Sequence, residues 1–204
     1  MKKLILASNN KKKIKELKEI LSDIPVEVRS LSDENINIDV VEDGSTFEEN
    51  AKKKAKEIYE FLKSRGEKNF IVLSDDSGLE VDYLNGEPGV YSARYAGVHG
   101  EDEKNNEKLL ANLKGVSKKD RGAQFVCQIA MFDESGKYYT VRGEVRGNIL
   151  EELNGEGGFG YDPLFFYEPL NKTFAQLSSG EKNEISHRGK ALKSLKEIIS
   201  EAVK

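Results

Sequence analysis

Apolar residues along the chain follow two spacings, which alternate from segment to segment. Continuous or alternating apolar stretches predict strands at residues 3–7, 26–31, 70–73, 79–83, 124–132, 137–145 and between Pro163 and Pro169. Apolar residues three or four positions apart predict helices at residues 11–21, from about 46 to 65, 102–113 and 190–203. Strands and helices alternate early, strands then dominate, and a helix closes the chain. We therefore predict an α/β fold with a mixed β-sheet.

The second predicted helix carries a start signal of its own. Ser45 with Glu48, or Thr46 with Glu49, has the spacing of a capping box, in which two side chains satisfy N–H groups at a helix start. The sequence leaves open which of the two pairs forms it.

The length and composition are those of a globular protein. With 204 residues, the chain is expected to form one domain, 1–204, or two tightly joined lobes. Eight Tyr, nine Phe and regular apolar spacing argue against disorder, although 33% of residues are charged. One Cys excludes a disulfide framework or a cysteine zinc cluster, and two His argue against a histidine-rich metal site. The net charge of −4 argues against a general nucleic-acid binder, but local basic clusters can still hold an anion.

The N-terminal segment imitates a secretion signal without completing one. Its apolar stretch stops at Ser8, short of the roughly 7–15 residues that a signal core needs. The longest apolar runs have four residues, such as 70–73, whereas a membrane-spanning helix needs about 20. We therefore expect a cytoplasmic protein that does not enter a membrane.

The first chemical motif is Ser-Asn-Asn-Lys-Lys-Lys at residues 8–13, between the first strand and the first helix. A helix start offers unpaired N–H groups and a partial positive charge, which suit an anion. Ser8 and Asn10 add donors, and Lys13 adds a full charge. The alternative is an N-cap followed by a solvated basic helix face. The spacing is not that of a P-loop.

The second motif is Asp75-Asp76-Ser77-Gly78, directly after a buried strand. Ligand sites of open α/β sheets lie beyond the carboxyl ends of strands, and paired carboxylates suit Mg²⁺ or acid–base chemistry. The alternative is an Asx turn, with Gly78 providing the bend. A further acidic pair, Glu42-Asp43, is by itself most typical of a solvated loop.

The third motif is a glycine-rich stretch at residues 155–163, which contains GxGxxG. A dinucleotide-binding fingerprint requires a helix directly afterwards, but Pro163 and an extended apolar stretch follow, so this interpretation is rejected. Phe159, Tyr161 and Asp162 could instead hold a flat ring by stacking and hydrogen bonding. The alternative is a turn whose aromatic residues pack in the core.

The fourth motif is Ser186-His187-Arg188-Gly189-Lys190, just before the last predicted helix, with Lys182 upstream. Ser186 suits an N-cap, which would place His187 and Arg188 as donors at a helix start. The alternative is an ordinary cap with exposed basic residues.

Taken together and in order, these segments resemble the Ham1-type non-standard purine nucleoside triphosphate pyrophosphatases, also called inosine triphosphatases. The resemblance covers nearly the whole chain. It is carried by residues 8–13, Thr-Phe-Glu-Glu-Asn-Ala at 46–51, Ser-Asp-Asp-Ser-Gly-Leu at 74–79, Pro-Gly-Val-Tyr-Ser-Ala-Arg-Tyr at 88–95, Gly-Gly-Phe-Gly-Tyr-Asp-Pro at 157–163 and Ser-His-Arg-Gly at 186–189. Asn9 and Lys12 depart from the smaller residues often found there, so the resemblance implies a different phosphate contact at these two positions.

The resemblance implies a fold and an activity. The fold is an elongated mixed β-sheet flanked by helices, with two lobes and a cleft between them. The activity is Mg²⁺-dependent hydrolysis of ITP, dITP and XTP to the monophosphate and pyrophosphate, which removes deaminated purines from the nucleotide pool. The implied assembly is a homodimer.

The resemblance also implies roles for individual residues. Asp76 is the catalytic carboxylate and a metal ligand, Glu42 is the second ligand, and Asp75 is a further candidate; which aspartate serves as base is left open. Arg188, His187 or Lys182 would donate to the C6 keto oxygen of the base, while Phe159 would stack on the ring. The full set of substrate-binding residues is Ser8, Asn9, Asn10, Lys11, Lys12, Lys13, Ser77, Phe159, Gly160, Tyr161, Asp162, Lys182, His187 and Arg188.

Three other functions are weighed against this one. A Maf-like pyrophosphatase would act on pyrimidine or modified nucleotides. A nucleotide-binding sensor without catalysis would have no need of Glu42, Asp75 and Asp76. A nucleic-acid binder using the lysines at 11–13 and 52–54 is disfavoured by the net acidity and the interleaved Glu residues.

Overall fold

The computed structural model describes residues 1–202, apart from the side chain of Ala202. The strands are β1 (Lys2–Leu6), β2 (Val26–Arg29), β3 (Phe70–Val81), β4 (Gly122–Asp133), β5 (Tyr138–Ile149), β6 (Phe165–Tyr167) and β7 (Lys172–Thr173). The helices are α1 (Lys11–Ile20), α2 (Phe47–Ser64), α3 (Asp102–Asn112), α4 (Ser179–Ile185) and α5 (His187–Ala202). None of these helices is both long enough and apolar enough to cross a membrane, as far as residues 1–202 are concerned.

The strands form one mixed sheet in the order β2-β1-β3-β4-β5-β6-β7. β1 pairs in parallel with β2 and with β3, because α1 and α2 return the chain between these strands. β6 pairs antiparallel with β5 and with β7. The predicted α/β class and mixed sheet are confirmed.

The chain divides into two compact units. Unit 1 comprises residues 1–76, 127–143 and those from 188 onward, and unit 2 comprises residues 77–126 and 144–187. Each unit has a core of its own.

Unit 1 buries apolar side chains on both faces of β1. Leu4 and Leu6 belong to one cluster with residues of α1 and α5, namely Leu17, Leu21, Ala191 and Leu195. Ile5 belongs to another cluster with residues of α2, namely Ala51, Ala55 and Ile58. Because successive side chains of a strand point to opposite faces, a strand covered by helices on both sides must be apolar throughout, which explains the short continuous run in the sequence.

Unit 2 has an aromatic core. The ring of Phe165 lies 4.4 Å from that of Phe125 and 4.9 Å from that of Phe174, measured between centroids. Leu109 and Leu113 of α3 belong to the same buried cluster. These contacts hold α3 as a fixed part of unit 2.

The start of α2 is a capping box formed by Thr46 and Glu49. The Glu49 N–H donates to Thr46 Oγ1 at 3.1 Å, and the Thr46 N–H donates to Glu49 Oε2 at 3.3 Å. The prediction that used this pair is confirmed, and the alternative with Ser45 and Glu48 is wrong. Ser45 instead donates to the same Glu49 carboxylate through its N–H and its hydroxyl.

β3 runs without a break from Phe70 to Val81. The interpretation of residues 75–78 as an Asx turn is therefore wrong, as is the division of this segment into two strands. The polar side chains stay in the strand because they find partners there: the buried Ser74 hydroxyl, for example, donates to the carbonyl oxygen of Ala51.

The C-terminal region contains one helix more than predicted. Residues 179–185 form α4, which begins at a capping box of Ser178 and Glu181. α5 begins at His187, three residues before the predicted start. The predicted end of this helix at Val203 lies outside the described residues. β6 lies between Pro163 and Pro169 as predicted.

Arg121 links its own backbone segment to two others in unit 2. Its buried guanidinium donates to the carbonyl oxygens of Leu113 (2.8 Å), Ile149 (2.7 Å) and Leu150 (2.7 Å). These oxygens lie at the end of α3 and at the end of β5. A planar group with five donors suits three acceptors in this way.

Replacing Arg121 by Met should lower the free energy of unfolding by at least about 2 kcal/mol, because carbonyl oxygens lose their partners in a buried place. The measurement is urea unfolding of the full chain. Lys56→Met, which removes only an exposed ion pair with Glu60, is the control and should cost less than about 0.5 kcal/mol. Equal urea midpoints for the two variants would contradict this role.

Candidate active site

The start of α1 is closed by Asn10. Its Oδ1 accepts hydrogen bonds from the backbone N–H groups of Lys12 (3.0 Å) and Lys13 (3.2 Å), and its own N–H donates to Ser8 Oγ (3.1 Å). The interpretation of this motif as an N-cap is confirmed. Because Asn10 already accepts from the N–H groups of Lys12 and Lys13, an anion at this helix start would be contacted mainly by lysine side chains.

Asp75 is a buried carboxylate held between two cations. Its Oδ1 accepts from Lys13 Nζ at 3.0 Å, and its Oδ2 accepts from Arg188 Nε at 3.1 Å, with Nη2 at 3.0 Å. Burial by itself would raise the pKa of Asp75, but the charges of Lys13, Arg188 and Lys54 outweigh it and hold the pKa well below its usual range. Asp75 therefore remains ionised and fixes the two cations in place.

Asp76, the next residue, has the opposite electrostatic character. Its Oδ2 accepts from Asn50 Nδ2 at 3.1 Å, and Lys54 Nζ lies 3.7 Å from its Oδ1. Burial, together with repulsion from Glu42, raises the pKa of Asp76 in spite of the attraction of Lys54. Of the two adjacent aspartates, Asp76 is thus the better proton acceptor near neutral pH.

Lys54 links the acidic residues of this cluster, and sequence reasoning missed it. Its ammonium donates to Glu42 and, at 2.9 Å, to the backbone oxygen of Asp75. Burial lowers the pKa of Lys54, but the surrounding carboxylates raise it by more, so Lys54 stays charged. A signal was available: Asn50 and Lys54 are four residues apart, which places both on one face of a helix whose start the capping box defines.

Arg188 lies inside the same cluster. Besides Asp75, it contacts the carboxylate of Glu16 on α1, and both of these partners belong to unit 1. The sequence places Arg188 among the donors to a purine base, whereas the structure shows its guanidinium bound to two carboxylates. Its contact with substrate stays a prediction.

Other residues of the 8–13 motif lie elsewhere. Asn9 Oδ1 accepts from the N–H (2.9 Å) and the hydroxyl (2.8 Å) of Ser32. Asn9 and Lys11 line a groove of about 470 Å³, together with Ile14, Lys15, Lys18, Glu19, Ser30, Ser32 and Asp33. Lys13 is not among these lining residues, because its ammonium pairs with Asp75 instead.

In unit 2, the glycine-rich segment forms a tight turn around the Asp162 carboxylate. Asp162 Oδ2 accepts from the N–H of Phe159 at 2.9 Å and from Lys182 Nζ at 2.8 Å. The Lys182 ammonium also lies 4.4 Å from the centre of the Phe159 ring, a cation–π contact. Gly158 has a φ of +73°, and a Cβ there would lie 2.1 Å from Asp162 Oδ2, so only glycine fits.

The remaining predicted residues of unit 2 are mostly buried. The Tyr161 hydroxyl donates to the carbonyl oxygen of Ser92 at 2.7 Å, and burial raises the pKa of this phenol. The His187 ring stacks on Phe125 with centroids 4.8 Å apart. Ser77 is half-buried on β3. Gly160 contacts α3 through its backbone.

The structure thus sorts the predicted residues into two groups. Unit 1 brings together Lys13, Glu42, Asp75, Asp76 and Arg188, and adds Glu16, Asn50 and Lys54. Unit 2 brings together Phe159, Asp162 and Lys182. No set of three or more His, Cys, Asp or Glu residues with the geometry of a metal site occurs between residues 1 and 202. A metal ion in unit 1 would therefore depend on two carboxylates. Asp76 and Glu42, which share the cation Lys54, suit it better than Asp75, which is paired with both Lys13 and Arg188.

The sequence as a whole matches a known family profile. The profile described as the Ham1 family covers residues 4–198. The chain belongs to the Ham1 family. The predicted resemblance is confirmed.

Relatives of this Ham1 chain share its full length. A protein of Clostridium perfringens named dITP/XTP pyrophosphatase is 57% identical over 204 residues, which is 100% of both chains. One of the same name from Bacillus subtilis is 46% identical and covers 98% of each chain. The solved structure of the Staphylococcus aureus Ham1 protein superposes with a TM-score of 0.85 at 46% identity, over 98% of this chain and 99% of that one.

The two aspartates should respond oppositely to removal of their charge. Asp75→Asn should destabilise the protein at pH 7 by about 3–5 kcal/mol, because it removes the buried carboxylate charge that pairs with the half-buried Lys13 and the buried Arg188. Asp76→Asn should raise the unfolding temperature at pH 7, because the folded state disfavours this charge. Thermal unfolding in metal-free buffer between pH 2 and 8 measures both effects and their pH dependence.

The pH dependence of stability follows from the directions in which folding shifts the pKa values of Asp75 and Asp76. The stability that Asp75 contributes is present above the unfolded-state pKa of about 3.9 and is lost as the pH falls toward its depressed folded-state pKa. For Asp76 the gain on substitution is full above its raised pKa and disappears as the pH falls to about 3.9 or below. A loss of stability in Asp76→Asn at pH 7 as large as that in Asp75→Asn would contradict the assignment.

Proposed function

We propose that this chain hydrolyses dITP, ITP and XTP to the corresponding monophosphate and pyrophosphate, and so removes deaminated purines from the nucleotide pool. The names of its full-length relatives support the reaction and the substrates. The observation that carries the mechanism is the pair of adjacent aspartates in unit 1, one held ionised by cations and the other made more basic. Such a division of roles between neighbouring carboxylates is a frequent feature of acid–base sites.

The phosphate chain is bound by the cations of unit 1. Lys13, Lys54 and Arg188 lie around Asp75 and Asp76. A triphosphate carries nearly four negative charges, and water cannot approach phosphorus until these are offset. Lys13 and Arg188 are already oriented by Asp75, so little reorganisation is needed when the anion arrives.

A divalent cation fits this site. The three cations named above lie among four carboxylates, those of Glu16, Glu42, Asp75 and Asp76, so these groups together carry one net negative charge. Without further positive charge, the cluster would repel a triphosphate. Glu42 and Asp76 would hold Mg²⁺, whose chemical contribution is to neutralise phosphate charge and to stabilise the departing pyrophosphate.

Asp76 is the general base. It accepts a proton from the water that attacks the α-phosphorus; the new bond joins the water oxygen to this phosphorus, and the bond to the β-phosphate oxygen breaks. Asn50 donates to Asp76 Oδ2 and so holds the carboxylate in place for this step. Asp75 positions the cations instead.

Unit 2 recognises the base. Phe159 stacks on the purine, and Lys182, held by Asp162, donates to the C6 keto oxygen of hypoxanthine or xanthine. His187 and Arg188 are further candidate donors to this keto oxygen, and Ser77 and Asp162 contact the base or the sugar. Adenine has an amino group at C6, which leaves the donor unmatched at a cost of about 1–3 kcal/mol.

Two further properties complete the proposal: the enzyme acts as a homodimer and in the cytoplasm. The homodimer follows from the family resemblance, and the cytoplasmic location is a prediction from the sequence. The molecular mass in solution tests the dimer; a monomer at micromolar concentration would argue against it.

Asp76→Asn should lower kcat by about 10²–10⁴, because general-base catalysis is lost, while ITP still binds. Product analysis with ITP and Mg²⁺ should give IMP and pyrophosphate for the unmodified protein. Asp43→Asn is the control, because Asp43 is exposed and pairs with Lys53; its kcat should stay within about twofold of wild type. Release of IDP and orthophosphate would overturn the mechanism.

Glu42→Gln should raise the Mg²⁺ concentration needed for half-maximal activity roughly tenfold or more, because one charged oxygen ligand becomes neutral. Titration of activity with Mg²⁺ after chelation measures this, with Asp43→Asn again as the control. Full activity of the chelated protein would show that no divalent cation is required.

A further inference from the structure

The backbone of Gly160 is held at both of its polar groups by one helix. Its N–H donates to Asp102 Oδ2 at 2.8 Å, and its carbonyl oxygen accepts from Asn106 Nδ2 at 3.0 Å. Asp102 and Asn106 are four residues apart on α3, so their side chains lie on the same face of the helix. Two side chains on a rigid element thereby fix the two peptide groups that flank the Cα of Gly160.

The held glycine lies between the two aromatic residues of the turn. Phe159 precedes it and packs against the Lys182 ammonium, and Tyr161 follows it and is anchored to Ser92. Gly160 itself has a φ of +60°, and nothing lies within 4 Å of a Cβ placed on it. The glycine is therefore needed for its backbone conformation, and α3 holds that conformation from outside.

Asn106 is an unusual choice for this position if packing were its only role. Asn106 is buried, with an exposed fraction of 5%. Its Oδ1 has no hydrogen-bond partner among the described residues. An apolar residue would avoid a buried acceptor of this kind. The orientation of the amide is determined, because only the NH₂ group can donate to the Gly160 carbonyl.

α3 is itself held in place by further contacts within unit 2. The adjacent Asn105 accepts from the N–H of Ala96 at 2.8 Å and donates to the carbonyl oxygen of Ala93 at 3.3 Å. Leu109 and Leu113 are fully buried in the core of unit 2. The helix is thus a stable reference against which the turn is positioned.

We infer that Asp102 and Asn106 are positioning residues that determine how tightly the enzyme holds the purine base, by fixing the peptide groups on both sides of Gly160 and, through them, the adjacent Phe159. This rests on the proposed function of the glycine-rich turn. The two residues need not touch the nucleotide. Their loss should weaken binding of the base and leave the phosphate-binding cluster of unit 1 unaffected.

The test measures base and phosphate binding separately. Asn106→Ala and Asp102→Ala should each weaken the affinity for IMP and raise KM for ITP about fivefold, as expected for one lost hydrogen bond, with kcat within about twofold. The affinity for pyrophosphate should not change. Calorimetry gives the affinities, and steady-state kinetics gives KM and kcat.

Two controls separate positioning from stability. Arg121→Met destabilises the same unit without contacting Gly160, so it should lower the unfolding temperature and leave IMP affinity unchanged. Asp102→Asn keeps an oxygen that accepts from the Gly160 N–H, and it should restore most of the affinity lost in Asp102→Ala.

The inference fails if the Ala variants behave like Arg121→Met, or if IMP and pyrophosphate affinities fall together. If Asn106→Ala does not fold, Asp102→Ala against Asp102→Asn decides the matter alone. The unmodified protein is assayed first: if it does not convert ITP to IMP and pyrophosphate, the proposed function itself is wrong.

Discussion

The site in unit 1 depends on the burial of Asp75 together with its cationic partners. Taking a carboxylate out of water is costly unless opposite charges and hydrogen bonds replace the lost hydration. Here Lys13 comes from α1, Lys54 from α2 and Arg188 from α5, so three helices converge on one residue of β3. The ion pairs thereby fix the helices relative to the sheet, and they also gather the cations that a phosphate chain needs.

The same arrangement shifts the pKa of the neighbouring carboxylate, Asp76, in the opposite direction. Lys13 and Arg188 are used by Asp75, so Asp76 is left with Lys54, which it shares with Glu42. A buried carboxylate with this little compensation holds its proton more readily. The structure accordingly accepts a destabilising charge at Asp76, which is the cost expected if this group takes up a proton and holds a cation, as proposed above.

In the proposed function, unit 2 binds the purine base, and it also relies on groups held in place by a buried carboxylate, here Asp162. A flat base is best recognised by a ring and a donor held in fixed positions, since each freely rotating side chain would lose entropy on binding. The turn around Asp162 provides this rigidity: the carboxylate fixes Lys182 and the backbone of Phe159 together. α3 adds support from outside through Gly160.

The sequence by itself determined the α/β class, most strands and helices and the family, because these depend on local spacing and on motifs in a fixed order, and it narrowed the capping box of α2 to two pairs, of which the structure forms Thr46 with Glu49. It also pointed to Lys13, Asp76 and the glycine-rich turn. The tertiary structure decided that β3 is continuous, that Lys54 joins the site and that Arg188 pairs with Asp75. The reason is distance along the chain: Asp75 lies 62 residues from Lys13 and 113 from Arg188. A pKa depends on such neighbours, so the difference between two adjacent aspartates exists only after folding.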